Sequence, residues 1–260
     1  MDRGGIWERA IKVVDEALFP SGIYCISCGS LIDGTRPYSL CDKCIREFHW
    51  INGRRCRKCG KALQDTYKGQ LCYDCMAYPH YFDKGYSCMT YGLKERELLL
   101  DYKYNGKSYL GKKFGDILYD RMSCENIDAD VIIPVPIHRR RERKRGYNQS
   151  ALMAESLAKK MEKPFLGDAV VRTRETALLR SLSPVERESA LRGAFAVCSG
   201  ALEKVYNKKV LLIDDIYTTG STADSCSKTL LEAGAEAVLL LTLASGGNKK
   251  PVQYVYDSGL

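Results

Sequence analysis

The sequence has no apolar run long enough to cross a bilayer, which takes about 18–20 residues. Its longest apolar stretch, Ala237–Ala244 with Thr242 inside it, has the length of a buried strand. The pattern of a secretory leader is missing too: Ile6–Leu18 is amphipathic and carries Glu8, Asp15 and Glu16. These absences predict a cytoplasmic protein with no membrane span. Histidine is scarce, with 3 in 260 residues. His80 and His138 receive no role, and His49 is read as packed or solvated rather than as a metal ligand. An apolar fraction of 45% permits a real core, and the formal net charge of +8 favours anionic partners.

Cysteine is what the chain has in excess, with 12. Without an export signal, disulfides are not expected, and regular spacing points to metal. Cys25, Cys28, Cys41 and Cys44 recur in register as Cys56, Cys59, Cys72 and Cys75, giving C-x2-C-G-x10-L-C-x2-C twice. Two CxxC knuckles supply the tetrahedral sulfur shell that Zn2+ prefers, and the glycine after the second cysteine suits positive φ. One structural zinc per repeat is expected, two in all. Sequential ligation is favoured because each repeat is then complete, with interleaving the alternative; a redox reading is weaker. The module is either purely structural or a docking platform for DNA or protein, with Arg54, Arg55, Arg57, Lys58 and Lys61 clustered at the second repeat. Cys88, Cys124, Cys198 and Cys226 lack partners at ligand spacing and are expected to be inert.

The rest of the chain has another grammar. Ile6–Leu18 reads as a helix stopped by Pro20 and Gly22. After Tyr78–Lys84, a charged helical pattern runs toward Tyr104. Strands are then expected at Val131–Val135, Val210–Ile213 and Ala237–Leu243, and helices at Ser150–Lys160 and Thr222–Glu232, the latter ended by Gly234. Such alternation predicts a parallel sheet with crossover helices. The domains expected are residues 1–80, an N-terminal helix with the cysteine module, and residues 81–260, an α/β domain. Arg172–Gly193 is long and polar, a candidate lid.

The most specific motif is Val210–Thr222, VLLIDDIYTTGST. Ligands bind beyond the carboxyl ends of parallel strands. Asp214 and Asp215 can accept hydrogen bonds from ribose hydroxyls. Tyr217, Thr218, Thr219, Gly220, Ser221 and Thr222 form a loop whose backbone N–H groups can approach a phosphate at a helix N-terminus. The string resembles the phosphoribosyl diphosphate (PRPP) signature of type I phosphoribosyltransferases. Upstream, Arg139, Arg140, Arg141, Arg143, Lys144 and Arg145 crowd one short loop, followed by Asn148 at the start of a helix. That loop resembles the position of a pyrophosphate loop. It could hold pyrophosphate or single-stranded DNA, or be a solvated basic loop.

The cysteine repeat, Lys103-Tyr104-Asn105-Gly106, Pro134-Val135-Pro136, Arg145-Gly146-Tyr147-Asn148-Gln149 and the Asp214–Thr222 loop together resemble the ComF family of competence proteins over nearly the whole chain. The resemblance implies a type I phosphoribosyltransferase-like domain behind a small four-CxxC zinc module. It also implies a role in DNA uptake during natural transformation or in DNA processing, with single-stranded DNA and a competence or repair helicase as partners. Magnesium would accompany PRPP. The chain departs from the family pattern in the long loop: Thr176, Leu182 and Arg187 match, but Leu179 stands for glutamine and Ala190 for asparagine. The departure bears on turnover more than on phosphate binding. No general base and no nucleobase hood is legible. Binding is therefore favoured over the alternative, transfer of the ribosyl phosphate to an acceptor with release of pyrophosphate.

Overall fold

The computed structural model describes residues 22–174 and 193–248. The helix expected at Ile6–Leu18 and the loop positions Thr176, Leu179, Leu182, Arg187 and Ala190 lie outside the described residues. By compactness the chain divides into two units, residues 1–48 and 49–260. The reason is burial: Cys56, Cys59, Leu63, Cys72 and Phe82 share one apolar cluster with Ile133, Leu212 and Leu240 of the sheet.

Each cysteine repeat folds the same way. Gly29 N donates to Cys25 O and Gly60 N to Cys56 O, closing knuckles in which Gly29 and Gly60 have φ of +74° and +77°. A short helix follows in each, α1 (Asp42–Glu47) and α2 (Tyr73–Ala77), starting directly after the third cysteine of its repeat. The sequence repeat is thus a structural one.

The larger unit is built on a parallel sheet of β1 (Lys84–Thr90), β2 (Val131–Pro134), β5 (Lys209–Tyr217) and β6 (Ala237–Ser245), in the order β1-β6-β5-β2. The central strands are nearly continuous apolar runs, as strands covered on both faces require; Leu211, Leu212, Leu240 and Leu241 are fully buried. Helices α3 (Leu93–Tyr104), α4 (Leu110–Cys124), α5 (Arg139–Arg145), α6 (Gln149–Met161) and α7 (Ser221–Glu232) connect the strands. α4 and α6 pack closely because Gly111 and Gly115 face Leu152 and Ser156, where a Cβ would stand 2.7 and 2.4 Å from side-chain atoms. A small antiparallel pair, β3 (Val170–Arg172) with β4 (Phe195–Val197), flanks the long polar stretch.

Two expectations change. β5 does not end at Ile213. It pairs with β6 through Asp214↔Thr242 to Tyr217↔Ser245, so backbone pairing carries the acids as part of the strand. The basic stretch Arg139–Arg145 is a helix, not a loop. Its charged residues give no apolar period, but His138 caps it by accepting from Arg140 N, and Gly146 closes it at φ +87°. Among the described residues, no helix is long and apolar enough to cross a membrane.

Candidate functional site

The site begins where β5 passes the end of its neighbour β2, while still paired with β6 on the other side. Asp214 is half-buried, and its Oδ1 accepts from Ser150 Oγ at 3.1 Å and from Asp215 N at 2.8 Å. Burial first, then the Asp215 charge, push the Asp214 carboxyl up to about 7. The Asp215 amide, Lys103 and Ser150 pull it back only in part. Asp215 has a partner of its own, as Lys103 Nζ lies 2.7 Å from its Oδ2, with both side chains largely covered.

The loop that follows is held from below. Tyr217 is buried, and its hydroxyl lies 3.2 Å from His80 Nε2. His80 Nδ1 lies 2.6 Å from Asp224 Oδ2, and Tyr81 N donates to Asp224 Oδ1 at 3.0 Å. Gly220 sits at φ +89°, where a Cβ would stand 2.7 Å from the Tyr217 hydroxyl. Only glycine suits both the backbone angle and the space. Thr218 is exposed, Thr219 Oγ1 lies 3.1 Å from Ser221 Oγ, and Ser221 and Thr222 open α7. The loop thus presents hydroxyls and a helix N-terminus outward, while Tyr217 faces the core.

Motifs remote in sequence converge beside the acids. Asn148 caps α6 by accepting from Ser150 N, and its amide donates to Val135 O at 3.1 Å. Tyr102 OH donates to Gln149 O at 2.8 Å, Tyr147 OH donates to Tyr102 O, and the Arg145 guanidinium lies 5.2 Å above the Tyr104 ring. Arg139, Arg140, Arg141, Arg143 and Lys144 are exposed on α5. A shallow depression of about 390 Å³ is lined by Arg139, Glu142, Arg143 and Gly146.

Sequence reasoning missed several participants. His80 had no role, and nothing local signals it, because its partners lie far along the chain. His138 is a helix cap. Lys103 and Ser150 were legible only as letters in motifs, without their carboxylate partners. His49 Nδ1 lies 3.1 Å from Glu95 Oε1, and its backbone N donates to the same oxygen at 2.7 Å.

The sulfurs of Cys25, Cys28, Cys41 and Cys44 lie within 4.8 Å of one another, as do those of Cys56, Cys59, Cys72 and Cys75. The groups are therefore sequential. Backbone N–H groups point at sulfur: Cys41 N lies 3.4 Å from Cys25 Sγ, and Cys72 N 3.2 Å from Cys56 Sγ. In the second group, hydrogen bonds from its neighbours, Cys59 first, hold Cys56 well down, while Cys56 pushes Cys59 and Cys75 up. Four sulfurs so close share protons unless a cation supplies the charge, so the donor set fits a tetrahedral zinc site. Of the other cysteines, Cys88 and Cys226 are buried, Cys198 is half-buried and Cys124 exposed.

Residues 14–76 match the Double zinc ribbon domain family, and residues 148–260 match the Phosphoribosyl transferase domain family. Competence protein F of Haemophilus influenzae is 32% identical over 152 residues, covering 56% of this chain and 66% of that protein. The chain is a homologue of competence proteins. The DNA utilization protein YhgH of Escherichia coli K12 is 36% identical over 124 residues, 47% of this chain and 52% of its own length. Competence protein ComFC of Bacillus subtilis is 28% identical over 157 residues, 58% of this chain and 59% of its own. The chain thus spans about half to two-thirds of these curated relatives. Among solved structures, the glutamine PRPP amidotransferase of B. subtilis complexed with ADP and GMP aligns with a TM-score of 0.36 and 20% identity, over 53% of this chain and 26% of that one. That likeness is too distant to carry an argument. The homologue has a parallel-sheet phosphoribosyltransferase-like fold and an N-terminal double zinc ribbon.

Proposed function

We propose that this competence-protein homologue binds PRPP or a related ribose phosphate at Asp214–Thr222 and acts in DNA uptake or DNA processing. The observation that carries the reading is the join of β5 to α7. Two acids at the strand end are followed by a loop of small hydroxyl residues and the N-terminus of a helix of 12 residues. Asp214 and Asp215 would accept from ribose hydroxyls. Thr218, Thr219, Gly220, Ser221 and Thr222 would bind the 5-phosphate through N–H and O–H donors. Tyr217, being buried, would support the loop rather than touch the ligand.

The basic helix Arg139–Arg145, followed by Asn148 at the N-terminus of α6, would take the diphosphate or the backbone of single-stranded DNA. The names of the relatives support the DNA reading, as does the exposure of Arg139, Arg140, Arg141, Arg143 and Lys144. A competence or repair helicase is the protein partner proposed. Cys25, Cys28, Cys41 and Cys44 would hold one structural zinc, and Cys56, Cys59, Cys72 and Cys75 a second. The phosphoribosyltransferase fold would bring magnesium with the diphosphate unless a cation of the protein takes its place. The thiols suit a reducing cytoplasm.

The second reading is a transferase. Its support is the phosphoribosyltransferase fold and a carboxyl, Asp214, raised toward neutrality beside the ribose position. The test is pyrophosphate release from PRPP with candidate acceptors. Release abolished by Asp214→Ala plus Asp215→Ala would make turnover the function; PRPP binding without release supports the binding reading.

A further inference from the structure

We propose that Lys103 serves the site as its own cation, so that the phosphoribosyl diphosphate binds without requiring a divalent metal. This rests on the phosphoribosyl reading of Asp214–Thr222.

The argument starts from the two carboxylates. Adjacent acids at one strand end repel each other and call for a counter-charge. A divalent cation arriving with a diphosphate is one way to supply it, using carboxylate oxygens and water. Here the place beside Asp215 is filled. Lys103 Nζ lies 2.7 Å from Asp215 Oδ2, and the side chains are 15% and 13% exposed. Two positive ions cannot share that oxygen cheaply, so a metal would have to displace a lysine that is already largely desolvated.

The lysine is also held where it stands. Lys103 lies in the last turn of α3. Tyr102, the residue before it, is buried, donates to Gln149 O and accepts from Tyr147 OH. Tyr104, the residue after it, lies under the Arg145 guanidinium. The residues on both sides of Lys103 are thus held by the segment Arg145–Gln149, which leads into α6, and α6 also supplies Ser150 to Asp214.

An ammonium has three donors, and Asp215 uses one direction. The rest can serve anionic oxygens of a ligand seated over the acids. Two further cations stand nearby: Arg172 feels the charge of Asp214, and Arg145 lies over the ring of Tyr104, the residue after Lys103. These cations would supply the counter-charge that a diphosphate needs. In such a site Lys103 also sets specificity, favouring a ligand with an anionic group at the anomeric position over ribose 5-phosphate alone.

The test is titration calorimetry of the full chain with PRPP, once in EDTA and once in excess Mg2+. The wild type is expected to show affinities within about threefold in the two buffers. Lys103→Met is expected to lose about tenfold or more in EDTA, a loss of about 1.4 kcal/mol or more, and to recover with Mg2+, because the vacated Asp215 can then accept the metal. A purely structural role for the lysine would not create metal dependence. Lys103→Met, Asp215→Asn should not recover with Mg2+. Wild-type binding seen only with Mg2+ would overturn the proposal and leave the phosphoribosyl reading standing. No PRPP binding in either buffer would remove both. The wild-type comparison decides even if the variant fails to fold, which its melting curve reports.

Discussion

His80 Nδ1 lies 2.6 Å from Asp224 Oδ2, joining the entry to β1 with the first turn of α7 across most of the chain. His80 is covered on every side: its ring stacks on Phe82 at 5.0 Å between centroids, and its Nε2 meets the Tyr217 hydroxyl. Lys61 Nζ lies 5.3 Å over the Tyr217 ring and pairs with Asp74, between Cys72 and Cys75. The loop Thr218–Thr222 is therefore linked to the second cysteine group through Tyr217, Lys61 and Asp74.

The first prediction concerns that support. His80→Ala leaves a half-buried Asp224 oxygen and the buried Tyr217 hydroxyl short of a partner, and should cost about 1–3 kcal/mol of stability. Urea unfolding of the two proteins measures it. A loss under about 0.5 kcal/mol would mean that the network is ornamental.

Gly220 offers a sharper local test. Gly220→Ala must take a φ of +89° and place a Cβ 2.7 Å from the Tyr217 hydroxyl. A destabilisation of about 1–3 kcal/mol is expected, with weaker PRPP binding. Gly106→Ala, also at positive φ but in open space, should cost about 1 kcal/mol and leave PRPP affinity nearly unchanged. Equal effects of the two changes on affinity would contradict the close-approach account.

The pH dependence has a definite sign. Asp214 has a folded value of about 7 against an ordinary 3.8. In that interval the folded state keeps a proton that the unfolded state has released. Stability from this group therefore falls as pH rises from 3.8 to about 7 and stays low above. Asp214→Asn keeps an acceptor for Ser150 and removes the charge. It should gain on the order of 2 kcal/mol at pH 8 and little at pH 4. Unfolding midpoints at the two pH values decide it; a pH-independent difference would show that the carboxyl does not titrate as stated.

Cysteine substitutions should separate the two metal sites. Cys25→Ser and Cys56→Ser are each expected to lower bound zinc from two per chain to one, measured by elemental analysis. Cys56→Ser should also lower the melting temperature of the larger unit, because Cys56, Cys59 and Cys72 belong to its buried cluster. Two zinc ions retained in either variant would refute the assignment of ligands.

What the sequence made legible follows physical lines. The Val210–Ile213 run was readable as strand because it is apolar on both faces, and the acid pair, hydroxyl loop and Gly220 were readable because they are contiguous. The continuation of β5 through Asp214–Tyr217 was not, because charge hides a strand whose pairing is made by backbone. β1 was missed: Lys84–Thr90 mixes glycine, serine and cysteine with few branched residues. The Arg139–Arg145 helix carries no apolar period and is set by its caps. The spacing of the second cysteine group showed its repeat, but not its burial in one cluster with Phe82 and the sheet. His80–Asp224 and Lys103–Asp215 are long-range pairs, and single-sequence spacing carries no signal for them.

The central claim is that Asp214–Thr222 binds a phosphoribosyl ligand. It is tested most directly by calorimetric titration of the full chain with PRPP, beside Asp214→Ala plus Asp215→Ala. Saturable binding to the wild type, weakened about a hundredfold or more in the double variant with its melting curve intact, is the predicted result. Equal affinity in the two proteins, or no heat of binding with the wild type, would contradict it.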